Sequence, residues 1–136
     1  MKVCLKNSNK FFTPDKIEVI KNFIQFIQNE IKLDEDVNIH FVSNRNLPIT
    51  TGVRLPKSNI CVLSKGRLLA DILRTIGHEW THEYQHQKMG LKDSDKIKDI
   101  GGPEENMANA LAGVFLKKFC KEYRSTLNLM EGLKSH

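Results

Sequence analysis

Apolar residues recur at helical spacing in the first third of the chain. Between Thr13 and Leu33 they lie three or four positions apart, with lysine, glutamate and glutamine between them: Ile17, Ile20, Ile24, Ile27 and Ile31. This spacing predicts an amphipathic helix with one buried face. Thr13 suits its N-cap and Pro14 its first position, so the pattern also predicts where the helix begins.

Two further helices are predicted in the second half of the chain. One runs from about Gly66 to Met89, with Leu69, Leu73, Ile76 and Trp80 among its apolar positions and Gly90 as a C-terminal stop. The polar stretch 91–99 then predicts a loop. "GGPEE" at 101–105 predicts the start of the next helix, because proline fits the first turn and acidic residues there favour the helix dipole.

Between the first and second helices the pattern changes to runs rich in β-branched residues. "DVNIHFVS" (36–43) and "NICVLS" (59–64) predict strands, and "ITTGVRL" (49–55) predicts a third strand between them. Pro48 and Pro56 bracket that middle segment, which favours an edge position or irregular ends. The element order predicts an α+β fold: an N-terminal helix, a small, mostly antiparallel sheet with helices on one face, then two helices.

The composition of the 136 residues narrows the class of protein. We predict one domain over 1–124 and a C-terminal tail over 125–136. No apolar run reaches the length of a membrane span, and the N-terminus lacks the apolar centre of a signal peptide, so we expect a cytoplasmic protein without a membrane partner. The net charge of +5 is mild. Several basic residues near the end of the third helix predict a solvated face rather than a nucleic-acid site: Lys117, Lys118, Lys121 and Arg124.

Candidate chemistry is concentrated in "HEWTHEYQHQ" (78–87) of the second helix. His78 and His82 lie four residues apart, so both imidazoles leave the same helical face one turn apart and can reach one zinc ion. Glu79 is rotated by about 100° from His78, where it is poorly placed to bind the metal and well placed to act as a general base. With this composition, H-E-x-x-H is expected by chance only about 0.01 times.

A third metal ligand must come from elsewhere. His86 lies about 12 Å along the helix axis from His78, so a straight helix cannot bring both to one ion. We therefore interpret His86 as a residue of the surface or of the cleft rim. Glu105 is the better candidate, because it precedes Ala108 and Ala112 by three and seven residues, and these small residues favour a close approach to the second helix. Glu104 remains its competitor. Asn109 follows Glu105 by one turn and could fix a ligand histidine by a hydrogen bond.

These motifs resemble those of a known family. "HEWTH" followed by "EENMANALA" is similar to the gluzincin metallopeptidases, and most similar to the small ImmA/IrrE-like kind, whose second motif is E-x-E-A-N-x-F-A. Glu105 falls on the first glutamate of that motif, the family's third zinc ligand, whereas Met107 replaces its second acid. "HEWTHEYQ" is also similar to other minimal zincins with H-E-x-x-H-x-x-Q. The resemblance covers about residues 58–119 and implies a helix–small sheet–helix–helix fold, one zinc and peptide-bond hydrolysis.

The spacing of these residues and the resemblance to the gluzincins together predict a function. His78, His82 and Glu105 would hold one Zn²⁺ per chain, with a metal-bound water activated by Glu79 and a protein or peptide as substrate. An oxyanion donor could be Tyr84, His86, Tyr123, His40 or Arg54, and the strand at 58–64 could pair with the substrate. Two alternatives stay open: a zinc-binding regulatory module without catalysis, and a partner- or nucleic-acid-binding module on the lysine-rich face.

Overall fold

The computed structural model describes residues 2–43, 51–90 and 102–123. In these residues the chain has an α+β architecture of four helices and a four-stranded mixed sheet. The elements in chain order are β1 (Val3–Lys6), α1 (Ser8–Phe11), α2 (Pro14–Glu30), β2 (Val37–Val42), β3 (Gly52–Leu55), β4 (Asn59–Leu63), α3 (Leu69–Lys88) and α4 (Pro103–Glu122). The three long helices and the strands β2, β3 and β4 were all predicted, whereas β1 and the single-turn α1 were not.

Local sequence determines how α2 begins. Pro14 occupies the first turn, and the Thr13 Oγ1 accepts a hydrogen bond from the Lys16 backbone N–H at 3.4 Å. The predicted cap and helix start are therefore confirmed. The buried face of α2 combines the predicted isoleucines Ile20, Ile24 and Ile27 with Val19, Phe23 and Phe26.

The sheet is mixed, and the prediction of a mostly antiparallel sheet is wrong. The strand order is β1-β2-β4-β3, in which β1 pairs with β2 and β2 with β4 in parallel, and only β3 pairs with β4 in antiparallel. The β1–β2 pair is parallel because α1 and α2 connect the two strands and return the chain to the same end of the sheet. The β2–β4 pair is parallel because β3 runs opposite to β2, and the hairpin that joins β3 to β4 reverses the chain again.

This strand order changes which strand can receive an extended peptide. The prediction that the strand at 58–64 pairs with substrate is wrong, because β4 already has a neighbour on each side. The expectation that the proline-bracketed segment lies at an edge is confirmed, since β3 pairs only with β4 in the described chain. The turn between these strands places Lys57 and Ser58 at φ 64° and 58°, a left-handed conformation that non-glycine residues rarely adopt.

Alternation along the strands separates two faces of the sheet. Ile39, Phe41, Ile60 and Val62 lie in the hydrophobic core, and the register places Arg54 beside Ile60 and Gly52 beside Val62 on that same face. His40 falls on the opposite face beside Cys61, and its Nε2 contacts the Asn59 Oδ1 at 3.1 Å. The face that carries Gly52 and Arg54 is the one that meets α3.

Trp80 sets the rotation of α3 about its axis. Its side chain is fully buried, and its Nε1–H donates a hydrogen bond to the Ile31 carbonyl at the end of α2, at 3.0 Å. Because successive helical residues are rotated by about 100°, burial of Trp80 turns His78 and His82, each two residues away, towards the opposite side. The hydrophobic core thereby orients the histidine face.

Helices α3 and α4 pack closely where both carry small residues. Gly77 lies opposite Ala112, and a Cβ on Gly77 would be 3.4 Å from the Ala112 Cα. Ala108 and Ala112 are both buried. The close approach that the small residues predicted is therefore confirmed, and it brings the first turn of α4 alongside His78 and His82.

Some predictions fall outside the described residues: the loop at 91–99, Arg124, and the limit between the domain and the tail at 124–125. Within the described ranges, none of the helices combines the length and the apolar character that crossing a bilayer requires.

Candidate metal centre

Three side chains from two helices converge on one point. His78 and His82 project from α3, and their Nε2 atoms are 3.1 Å apart. Glu105 reaches them from the first turn of α4, with Oε1 3.0 Å from the His78 Nε2 and Oε2 3.1 Å from the His82 Nε2. Each of these atoms can offer a lone pair, so the three residues form the donor set that the sequence predicted.

The spacing and chemistry of the donors fit a zinc ion. Two ligands on a tetrahedral zinc with bonds of 2.0–2.1 Å lie roughly 3.3 Å apart. The three donor distances of 3.0–3.1 Å are close to this value, so only small movements would be needed. Two imidazoles and one carboxylate are a ligand set typical of zinc sites that keep an open position. His78, Glu79 and His82 form a second group whose ligand atoms lie within 4.8 Å of one another and could hold a metal ion.

The structure separates the two glutamates of α4. Glu105 faces the histidines, whereas the backbone carbonyl of Glu104 accepts a hydrogen bond from the Gln85 Nε2 at 3.0 Å. This placement agrees with the prediction, made from the spacing of Glu105 to Ala108 and Ala112, that Glu105 rather than Glu104 faces α3. Both residues lie in the first turn of α4, where the helix dipole stabilises a negative charge.

Each histidine has a partner that orients its ring. The His82 Nδ1–H donates to the Gln85 Oε1 at 2.9 Å, which leaves the lone pair of Nε2 directed at the site. Gln85 is buried and is itself held by Glu104. The Asn109 side chain forms a hydrogen bond to His78, as the sequence predicted for a ligand histidine. Gln85 was present in the H-E-x-x-H-x-x-Q pattern, but the sequence did not reveal its role.

Replacing Gln85 by methionine is expected to weaken zinc binding about ten- to hundredfold, the usual effect of losing a group that orients a ligand. Methionine has a similar size but cannot accept the His82 Nδ1–H. Competition with a chromophoric chelator measures the affinity. Gln25→Met, at an exposed position of α2, is the matched control and should leave it unchanged. Equal affinities for the two variants would contradict the orienting role of Gln85.

Glu79 lies beside the donor set under the edge strand. Its Oε2 is 3.9 Å from the His78 Nε2, and its side chain is 7 % exposed. A Cβ on Gly52 would be 3.3 Å from the Glu79 Cγ and only 2.5 Å from the Thr75 Cγ2, so β3 can approach this closely only with a glycine at that position. The strand thereby covers the acid.

The surroundings of Glu79 favour its protonated form. Burial raises its pKa to about 8, the carboxylate of Glu105 acts in the same direction, and a hydrogen bond from the Arg54 backbone N–H opposes them. The pKa of His78 is lowered by burial and by His82, against the influence of Glu105 and Asn109. The metal-free site therefore disfavours positive charge on His78 and negative charge on Glu79.

The raised pKa predicts a pH dependence of stability in chelator-treated protein. A carboxyl whose pKa rises from 4.5 to about 8 on folding stabilises the folded state at low pH, and this contribution is lost as the pH rises through 8. Glu79→Gln cannot titrate. The free energy of unfolding of this variant, relative to that of the wild type, should therefore be higher at pH 9 than at pH 5 by on the order of 4 kcal/mol. Urea titrations at both pH values measure this, and a constant difference would contradict it.

The structure ranks the candidate oxyanion donors. His40 lies on the sheet face opposite α3, and Tyr123 stacks on Phe119 at the far end of α4. Tyr84 packs against the core. These three are therefore remote from the donor set or turned away from it. Arg54 contacts Glu79 through its backbone, and His86 follows His82 by one helical turn. These two residues remain as candidate oxyanion donors.

A buried polar network next to the site was not predicted. The Glu83 side chain is fully buried, and its Oε1 accepts from the Arg54 Nε at 2.7 Å. Its Oε2 accepts from the Ser58 Oγ at 2.7 Å and the Gln87 Nε2 at 2.6 Å. These three hydrogen bonds satisfy the oxygens of the buried side chain. The network attaches the β3–β4 hairpin to α3, one turn beyond Glu79.

Comparisons with known protein families, with curated proteins and with solved structures found no significant match to this chain.

Proposed function

We propose that the chain is a zinc-dependent metallopeptidase of the gluzincin type, similar to the minimal ImmA/IrrE-like kind. The observation that carries this proposal is the convergence of the His78, His82 and Glu105 donor atoms at 3.0–3.1 Å from two separate helices, with Glu79 beside them. A helix face with incidental histidines gives no reason for a carboxylate from another helix to meet both rings. The minimal zincin arrangement of α2, sheet, α3 and α4 is part of the same proposal.

Each residue of the site has a distinct role in peptide hydrolysis. His78, His82 and Glu105 would hold the ion, with Gln85 and Asn109 orienting the two rings. A bound zinc supplies Lewis acidity, which polarises a carbonyl and makes water easier to deprotonate. Glu79 accepts the proton from the attacking water and returns it to the leaving amine. The burial that raises its pKa towards neutral suits a group that must take up and release a proton.

Strand β3 is the element that would position the substrate. Its outer edge has no strand neighbour in the described chain, and its inner face contacts Glu79. An extended peptide that pairs with this edge would add a strand to the sheet and bring its backbone to the histidine face. Arg54 and His86 lie along this path and are the candidates to stabilise the developing oxyanion.

The experiment that tests the proposal combines metal content with cleavage. Purified chain should contain, or take up, one zinc per molecule and should cleave members of a random peptide library, as read by mass spectrometry. Removing zinc with a chelator should stop cleavage, and adding zinc should restore it. Protein that binds no zinc, or zinc-loaded protein that cleaves nothing in the library, would contradict the proposal.

A second candidate is a zinc-binding module without hydrolytic activity. The observation that favours it is the closure of the site, since β3 covers Glu79, and His82 is only 4 % exposed. A closed site usually gains a fourth protein ligand, and Glu79, at 3.9 Å from the His78 Nε2, is the nearest candidate. In this case Glu79→Gln would weaken zinc binding, whereas in the peptidase it would leave zinc bound and remove cleavage.

A partner- or nucleic-acid-binding function has weaker support. Lys117, Lys118 and Lys121 are exposed on α4, as predicted for a solvated face. Lys118 is engaged by Glu30 of α2, with 3.8 Å between its Nζ and the carboxylate Oε1. Three surface lysines without interleaved aromatic residues do not define a nucleic-acid site, so we do not propose this function.

A further inference from the structure

A polar pocket lies next to the metal centre, between the β3–β4 hairpin and the C-terminal half of α3. Its volume is about 360 Å³. Residues from three parts of the chain line it: Arg54, Lys57 and Ser58 from the hairpin, Glu83, His86 and Gln87 from α3, and Glu35 and Asp36 from the segment between α2 and β2.

The floor of the pocket is held by hydrogen bonds. It is the network of Glu83, Arg54, Ser58 and Gln87, in which the Arg54 side chain is 6 % exposed and the Glu83 side chain is not exposed at all. The charges of Arg54 and Glu83 cancel at 2.7 Å. The floor is therefore rigid and contributes almost no net charge to the pocket.

The rim carries the charges that remain. Glu35 and Asp36 are exposed carboxylates on one side, and Lys57 is a single exposed ammonium on the hairpin. The segment with the two acids is anchored, because the Gln87 Oε1 accepts the Glu35 backbone N–H at 3.1 Å and the Asp36 Oδ1 accepts the Lys2 backbone N–H at 2.7 Å. The rim thus has one excess negative charge, although the whole chain is positive.

The charge of the residues that line the pocket determines which kind of side chain it favours. At physiological ionic strength charges are screened over about 8 Å, so the charged groups that line the pocket act most strongly on a side chain inside it. We propose that this pocket binds the lysine or arginine side chain of a peptide substrate, with the cationic head between the Glu35 and Asp36 carboxylates. The volume of about 360 Å³ and the polar lining can accommodate a flexible basic side chain, whereas an acidic side chain would meet two like charges.

The pocket lies close enough to Glu79 for one peptide to reach both. This part of the inference rests on the proposed peptide hydrolysis. Arg54 lines the pocket and contacts Glu79 through its backbone, and His86 lies one turn beyond His82. A peptide along β3 would pass from Gly52, beside Glu79, to the hairpin turn after Leu55. Three residues of extended chain span about 10 Å. The basic side chain should therefore lie two or three residues from the scissile bond.

Two measurements on the zinc-loaded full chain test the inference. The first is kcat/KM for peptides that differ only in carrying lysine, norleucine or glutamate at one position, scanned on both sides of the cleaved bond. The second is the affinity of the same peptides, labelled with a fluorophore, for the zinc-loaded Glu79→Gln variant. At one position lysine should be favoured over glutamate roughly three- to tenfold, as expected for a few exposed ion pairs.

Variants of the rim provide the matched comparison. Glu35→Gln should reduce the lysine preference, and Lys57→Gln should increase it, because these changes remove opposite charges. Glu18→Gln, an exposed acid on α2 outside the pocket, should leave it unchanged. Equal binding of the lysine and glutamate peptides, or a preference that Glu35→Gln does not alter, would overturn the inference.

The two measurements separate failure of the inference from failure of the proposed function. Cleavage without a lysine preference at any position would refute the basic-side-chain pocket and leave the peptidase proposal intact. A lysine preference in binding that responds to Glu35→Gln, with no cleavage of any peptide, would refute the peptidase proposal and support the pocket as a binding site.

Discussion

Replacing Glu79 by glutamine should lower kcat/KM for peptide hydrolysis by about two to four orders of magnitude and leave one zinc bound per chain. Glutamine has nearly the same shape and can keep the hydrogen bond from the Arg54 backbone N–H, but it cannot accept a proton from water. Its side chain also fits beneath β3, where Glu79 is buried. Initial rates on a cleaved peptide and metal analysis of the same sample measure both effects.

A control separates this effect from a general disturbance of the protein. Glu18→Gln makes the same chemical change on the exposed face of α2 and should retain full activity and zinc. A Glu79→Gln protein that cleaves peptide as well as the wild type would show that Glu79 is not the general base. Loss of zinc in that variant would instead make Glu79 a ligand, as in the non-catalytic module.

Replacing Glu105 by alanine should reduce the zinc affinity by at least about a hundredfold, beyond the effect of losing an orienting group. The Glu105 carboxylate lies 3.0 Å from the Nε2 of His78 and 3.1 Å from that of His82. Its removal leaves two imidazoles, which hold a zinc ion less well than three protein ligands. Chelator competition at constant pH gives the dissociation constants.

Glu104→Ala is the paired variant for this prediction. The backbone carbonyl of Glu104 accepts the hydrogen bond from Gln85, and alanine retains that carbonyl. Its zinc affinity should therefore stay near the wild-type value. If Glu104→Ala lost zinc and Glu105→Ala kept it, the assignment of the third ligand would have to be exchanged.

The site residues of α3 could be predicted because a helix converts spacing in sequence directly into position in space. His78 and His82 share a face of the helix whatever surrounds them. The apolar positions, which include Trp80, show that this face points away from the core. The place of Glu105 in the site was harder to predict, because it depends on how α4 packs against α3. The small residues Ala108 and Ala112 indicated that packing, and Gly77 is found opposite Ala112.

The sheet could not be predicted to the same depth. Strands pair with partners distant in sequence, and their order depends on connections that leave no local pattern. Val3 is the only β-branched residue among the four residues of β1, so this strand was not recognised and the parallel β1–β2 pair was missed. The Glu83 network was missed for a similar reason. Arg54 and Ser58 meet Glu83 across 29 and 25 residues, and each is ordinary when read alone.

The origin of the third ligand on a separate helix has a consequence for folding itself. His82 and Glu105 are separated by 23 residues, so a shared ion would act as a cross-link that closes a loop between α3 and α4. An unfolded chain does not present these three groups together, and the binding energy of the ion would therefore add to the stability of the native state. At a free zinc concentration a hundred times the dissociation constant, this gain is about 2.7 kcal/mol. The melting temperature of the protein would then follow the metal supply of its surroundings.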